Sequence, residues 1–154
     1  NTTAEDIDLN GWHLQESNGN PHIITDEVSL IIAAGDYIVL TKACDVAVNG
    51  GIESGYCYPG GPSLFTAGIN PTIVLNNDTD TVQLLWNELV IDTLDYDDEN
   101  GWYVGEGIST QLHSALLDGV SNNDGNNWCE AAAVSGYGVG NDKGTPGTPN
   151  TGCP

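Results

Sequence analysis

Hydrophobic and polar positions alternate along this chain in short runs, and the plainest alternation lies between Thr81 and Tyr96, TVQLLWNELVIDTLDY. Val82, Leu84 and Trp86 alternate with Thr81, Gln83 and Leu85, the period of two that a half-buried strand requires. Asn87-Glu88 interrupts the run, and a second begins at Leu89. There Val90, Leu94 and Tyr96 share one parity, and Ile91, Thr93 and Asp95 the other. Two such runs across a two-residue break predict a β-hairpin, although Asn-Glu is a weaker turn signal than Asn-Gly. Asp92 shares the parity of Val90 and Leu94, so the pattern makes it a partly buried carboxylate. Its plainer role is to accept hydrogen bonds from nearby backbone N–H groups, and a catalytic one is secondary.

The rest of the chain reads as further short strands separated by turns. DIDLNGWHLQES predicts a strand entered through a tight turn at Asn10-Gly11, with Trp12 and Leu14 on one face and in the core. His22 to Ile24, Val28 to Ile32 and Tyr37 to Thr41 are strand candidates, as are Thr72 to Leu75, Trp102 to Val104 and Ile108 to Leu112. Tyr58-Pro59-Gly60-Gly61-Pro62 cannot sit in a central strand, and Leu64, Phe65 and Ile69 after it read as a loop anchor. The Gly-rich stretch Gly136 to Gly140 reads as an irregular strand, and the tail to Asn150 as extended and turn-rich. Strands this short with turns at this spacing indicate a single β-sandwich domain over residues 1–154.

Length, composition and charge narrow the picture further. The 154 residues suffice for one domain. No apolar run approaches the roughly 18 residues of a membrane helix, so membrane insertion is not expected. With no methionine and no signal-peptide pattern, the chain reads as a processed product or a fragment. Against 22 acidic residues stand only Lys42 and Lys143, a formal charge of −20. Nucleic acid is not an expected partner, because phosphate binding depends on Lys and Arg displacing counterions. Such a surface collects cations instead and suits a saline or cation-rich exterior.

Cys44, Cys57, Cys129 and Cys153 allow three pairings, of which sequence neighbourhood favours Cys44–Cys57 and Cys129–Cys153. A zinc site lacks any C-x-x-C or Cys/His cluster at ligand spacing. Disulfides imply an oxidising, extracellular or cell-surface setting.

Candidate chemistry is sparse. The acidic loop DYDDENG, with Asp95, Asp97, Asp98 and Glu99, offers hard oxygen ligands, and Glu106 falls where an EF-hand places its bidentate glutamate. Calcium is thus the one cofactor the residues suggest, although the glycine arrives one place late and the flanks read as strands. A solvated polar turn is the commoner outcome for such a loop, and equally for Asn122 to Asn127. His13, His22 and His113 lack metal-protease spacing. Ser109, His113 and Asp118 have no nucleophile elbow and read as exposed or core-edge residues. Trp12, Trp86 and Trp128 read as core. Trp102, beside Asn100-Gly101, is the candidate for an exposed contact. Asn1-Thr2-Thr3 and Asn77-Asp78-Thr79 match the glycosylation sequon, a motif common by chance, with Asn77 the candidate site.

Several of these segments together resemble the lamin tail domain of the secreted prokaryotic type, which is immunoglobulin-like. The matching pieces are IDLNGWHL at Ile7 to Leu14, AGDYIVL at Ala34 to Leu40, and LNNDTDTVQLLW with VIDTLDY between Leu75 and Tyr96. LLDGVSNNDGNNWC at Leu116 to Cys129 and NDKGTPGTPN at Asn141 to Asn150 close the pattern. The resemblance implies an immunoglobulin-like β-sandwich that works as a non-catalytic structural or interaction module; it carries over no catalytic residue. Such domains begin with one or two strands ahead of the DLNGW-like turn, and here the chain starts at Asn1. The sandwich is therefore expected to lack its leading strand or strands, leaving a hydrophobic groove and an unpaired sheet edge. Three explanations stand side by side: a fragment, cleaved strands that stay bound, or a strand from another subunit, which would give homo-oligomers or obligate complexes. The alternative function is an accessory domain of a secreted enzyme, recognising a glycan or surface polymer.

Overall fold

The computed structural model describes residues 1–17, 19, 21–25, 29–58, 73–103, 105–132, 137–138 and 142–153. Among them the chain is all-β. Its strands are β1 (Ile7–Asp8), β2 (His13–Glu16), β3 (His22–Ile23), β4 (Ile31–Ile32), β5 (Leu40–Thr41), β6 (Tyr56–Cys57), β7 (Thr79–Trp86), β8 (Leu89–Asp97), β9 (Thr110–Leu112) and β10 (Trp128–Glu130). Helical structure among the described residues is confined to single 3-10 turns.

The hairpin expected from the alternation is the largest element. β7 and β8 pair antiparallel from Thr79↔Asp97 to Trp86↔Leu89, and β2 and β3 extend the sheet in the order β3-β2-β7-β8. The turn works without glycine, because Asn87 and Glu88 both adopt left-handed backbone, with φ 48° and 66°. That pair of angles matches the right-handed twist of the strands, and asparagine tolerates it far better than glutamate. Replacing the exposed Glu88 with glycine is therefore expected to raise stability by about 0.5–1 kcal/mol, read as a higher urea midpoint at unchanged slope.

One detail of the alternation needs correction. Leu84 faces Asp92, but Leu85 faces Val90, so Ile91 is an extra residue in β8. This bulge takes Val90 off the face shared by Asp92, Leu94 and Tyr96, which strict alternation across the whole strand had assigned to it.

The remaining strands are short. β1 pairs antiparallel with β4, and β9 with β10, whereas β5 and β6 pair in parallel. The Asn10-Gly11 turn is closed by Trp12 N–H donating to Leu9 O at 3.0 Å, with Gly11 at φ 84°. Tyr37 to Thr41 forms a strand only at Leu40–Thr41, and Trp102 and Tyr103 form none. The proline-rich segment, the Leu64, Phe65 and Ile69 anchor and most of the Gly136 to Gly140 stretch lie outside the described residues.

Leu9, Ile24, Leu30, Ile32 and Tyr56 form one buried cluster, with Ile7, Trp12, Ile38, Leu40 and Tyr58 packed against it. Inside it lies His22, fully buried, its Nε2 2.9 Å from Tyr56 Oη. That hydroxyl also accepts from Thr25 N–H at 3.2 Å, so its own proton is available to the histidine. Burial raises the pKa of Tyr58, whose ring meets His22 edge-on. The disulfides are Cys44–Cys57 and Cys129–Cys153, with Cα atoms 5.5 and 5.7 Å apart. Each contributes about 3 kcal/mol by the loop-entropy account. The second fixes the tail, which is also held by Asn150 Nδ2 donating to Leu112 O and Gln111 Nε2 donating to Gly152 O.

Candidate functional site

The face of the β7–β8 hairpin that carries Val82, Leu84, Asp92, Leu94 and Tyr96 borders a chain of open grooves. The largest, about 480 Å³, lies between this face and the β1–β4 pair, with apolar walls that include Ile7, Ile32, Leu84, Leu112 and Leu117. A second shares Leu84, Asp92, Leu112 and Asn122 with it and continues to Leu94 and Trp128. A third, about 340 Å³, takes over from Leu94 and Trp128 and runs to Tyr96, Trp102 and Leu75. β8 ends the sheet order, so among the described residues no strand pairs with its outer edge. At that edge Leu89, Val90 and Ile91 are all exposed, and Ile91 belongs to the largest groove. The exposed apolar stretch Leu89 to Ile91 is a template for pairing with another chain, and the acidic Asp92, Asp95 and Asp97 follow it along the strand.

The polar floor of the grooves is built by Asp92 and Asn122. Asn122 Nδ2 lies 3.0 Å from both Asp92 oxygens, and Thr93 N–H donates to Oδ1 at 3.0 Å. Asp92 is thus a structural acceptor, though its main donor is a side-chain amide and not the backbone. The carboxylate also fixes the amide's orientation, because a flip would set two oxygens against each other. Asn122 Oδ1 is then left buried without a hydrogen-bond partner. The loop behind it is locked: Trp128 Nε1 donates to Asn122 O at 2.8 Å, and Asp118 accepts from Val120 N–H, Ser121 N–H and Ser121 Oγ. Those bonds hold the Asp118 carboxyl below the usual carboxylate range.

At the other end of the hairpin, Asp80 is 5 % exposed. Its Oδ1 accepts from Ser17 Oγ at 2.6 Å, Thr81 N–H at 2.8 Å and Ser17 N–H at 3.3 Å. Its Oδ2 accepts from Asn76 N–H at 3.0 Å and Nδ2 at 3.2 Å. Burial pushes its pKa upward, but these bonds outweigh it and the net shift is downward. Tyr96, opposite Asp80, donates to Asn76 O, and its pKa is raised by burial first and then by the Asp80 and Glu16 charges. Nothing in the sequence reading singled out Asp80. Its parity with Val82 and Leu84 was the available signal.

Trp102 is buried, 8 % exposed, and is not an exposed contact. Its ring centre lies 5.1 Å from that of Trp128, and Gly125 sits so close that an added Cβ would approach its Nε1 to 3.1 Å. The loop position misled because the chain turns Trp102 inward directly after Gly101. Trp86, expected as core, is 38 % exposed and stacks on Trp12 at 5.6 Å.

The acidic loop is not assembled as a cage. Asp97 Oδ1 accepts Glu99 N–H, and its Oδ2 accepts Asn100 Nδ2, closing a 3-10 turn in which Asp98 and Glu99 are exposed. Asp95 lies on β8 opposite Thr81, and Glu106 sits between the bridged residues Gly105 and Ile108. Among the described residues no three His, Cys, Asp or Glu side chains group to hold a metal ion. A chelator is accordingly expected to leave the melting temperature unchanged, checked by paired thermal melts with and without EDTA.

Asn77 is exposed at the rim of the third groove. Asn1, by contrast, is tied by Nδ2 to Glu5 O, Ile32 O and Ala33 O. His113 Nδ1 accepts from Ala115 N–H, and Asp118 is spent on its own turn, so the two serve local structure. No helix among the described residues is long and apolar enough to cross a membrane. No protein-family profile, curated protein or solved structure matches the chain.

Proposed function

We infer that this chain is a non-catalytic, extracellular or cell-surface interaction module, a lamin-tail-like immunoglobulin sandwich completed by a strand from another chain. The observation that carries this reading is the apolar groove between the β1–β4 pair and the hairpin, beside the edge of β8 that no strand among the described residues pairs with. A β-sandwich normally fills the space between its layers with side chains from both, and an added strand meets both needs at once through backbone hydrogen bonds and alternate side chains. Two disulfides support an oxidising setting.

The glycan alternative draws less support. The third groove is rich in aromatic side chains, but its polar groups are largely engaged: Asn76 with Asp80, Tyr96 with Asn76 O, and Thr110 Oγ1 with Tyr103 O. Sugar hydroxyls need free donors and acceptors, and Trp102 offers little open face.

Size-exclusion chromatography with light scattering on the chain from its native source tests this. Polymers or a co-purifying strand-donating protein are expected. A stable monomer that binds polysaccharide would favour the glycan reading.

A further inference from the structure

Resting on that reading, we propose that the groove's occupant is an extended segment of a different protein, apolar on one side and bearing basic side chains, rather than a second copy of this chain. The groove walls are mainly aliphatic, with Trp12 among them, and among the described residues the charged side chains lining it are Asp92 and Asp118. Both are acidic, and Asn122 links them, its Nδ2 donating to the Asp92 carboxylate and its backbone N–H to Asp118 O at 3.1 Å. Asn122 is 8 % exposed, and its Oδ1 is held by Asp92 in the one orientation that leaves it without a donor. A cationic segment lying in the groove offsets the Asp92 and Asp118 charges that line it.

A second copy fits poorly. It would bring another −20, with two lysines in 154 residues to set against it. β8 itself carries Asp92, Asp95 and Asp97, so pairing two such edges would align like charges. A basic strand is instead drawn to this surface from a distance and then held by apolar contact with Leu84, Leu112 and the exposed Ile91.

The test uses the full chain and synthetic peptides of about ten residues, a strand's reach, alternating valine with lysine, valine with glutamate, or serine with lysine. The valine–lysine peptide is expected to bind best, and to weaken about tenfold or more between about 0.05 M and about 0.5 M NaCl. Ile91→Lys should weaken that binding about tenfold, a loss of roughly 1.4 kcal/mol. Ile31→Lys, on a side chain equally exposed at 52 % but outside the groove, should weaken it far less. Both are surface substitutions of equal charge, so folding and net charge are matched. Equal binding of the valine–glutamate or serine–lysine peptide, or equal losses from the two variants, overturns the proposal. If the purified chain assembles with itself and shows no preference for the valine–lysine peptide, the completed-sheet reading stands and the basic partner falls. A monomer that binds no strand peptide removes both.

Discussion

Trp102→Ala is expected to lower stability by about 3–5 kcal/mol, the range for a large aromatic removed from a packed site. For a domain of this length that is a fall in melting temperature of roughly 6–20 °C. The indole is buried against Trp128 and Gly125, and Trp128 in turn holds Asn122 by its Nε1 hydrogen bond. Removing Trp102 opens the third groove into the space behind Trp128, so the loss reaches the polar floor as well as the apolar wall. Trp102→Phe should recover part of the loss, because a six-membered ring still meets the Trp128 face. A surface aromatic serving as a binding platform would behave differently: its truncation costs within about 0.5 kcal/mol. Thermal melts of the two variants therefore separate a core tryptophan from a contact residue without any ligand.

The case of Trp102 also shows where sequence reasoning ran out. Alternation found the β7–β8 hairpin and all but one of its facings, because a strand with one apolar side states its register in every second residue. Sequence neighbourhood gave both disulfides, since short Cys-to-Cys intervals favour local closure. Bulges are invisible to a count of twos, which is why Val90 was placed on the wrong side of Ile91. Two-residue strands such as β5 and β6 have no period to display, and this parallel pair joins residues sixteen apart, Leu40 with Tyr56 and Thr41 with Cys57, through a loop that alternation does not describe. Acidic residues misled most. DYDDENG looked like a ligand set, yet Asp97 is consumed by its own turn. Of the carboxylates that organise the site, Asp92 is marked by its parity with Leu94, but Asp80 lies just ahead of the alternating run that begins at Thr81 and is not counted in it. Their partners, Ser17 and Asn122, are distant in sequence, so nothing local marks the pairs.

Asp80→Asn is expected to cost about 2–3 kcal/mol, because five hydrogen bonds converge on a carboxylate that is almost wholly buried. Asparagine keeps one acceptor oxygen but turns an NH2 group towards either the Ser17 and Thr81 donors or the Asn76 donors, so donors meet donors on one side. The clamp spans the end of β2, the start of β7, the Asn76 turn and, through Asn76 O, Tyr96 on β8. Its loss should therefore loosen the sheet end nearest the third groove. The pH dependence has a definite sign. The folded-state pKa of Asp80 lies below its unfolded value, so its contribution is present above the usual carboxylate pKa of about 3.9 and is lost as pH falls through the lower folded value. Denaturant midpoints from neutral pH down to acid should decline in the wild type across that window. In Asp80→Asn the decline should be shallower, because one depressed carboxylate has been removed. Parallel curves for the two proteins would mean that Asp80 is not held ionised by Ser17, Asn76 and Thr81, and the clamp would lose its electrostatic basis.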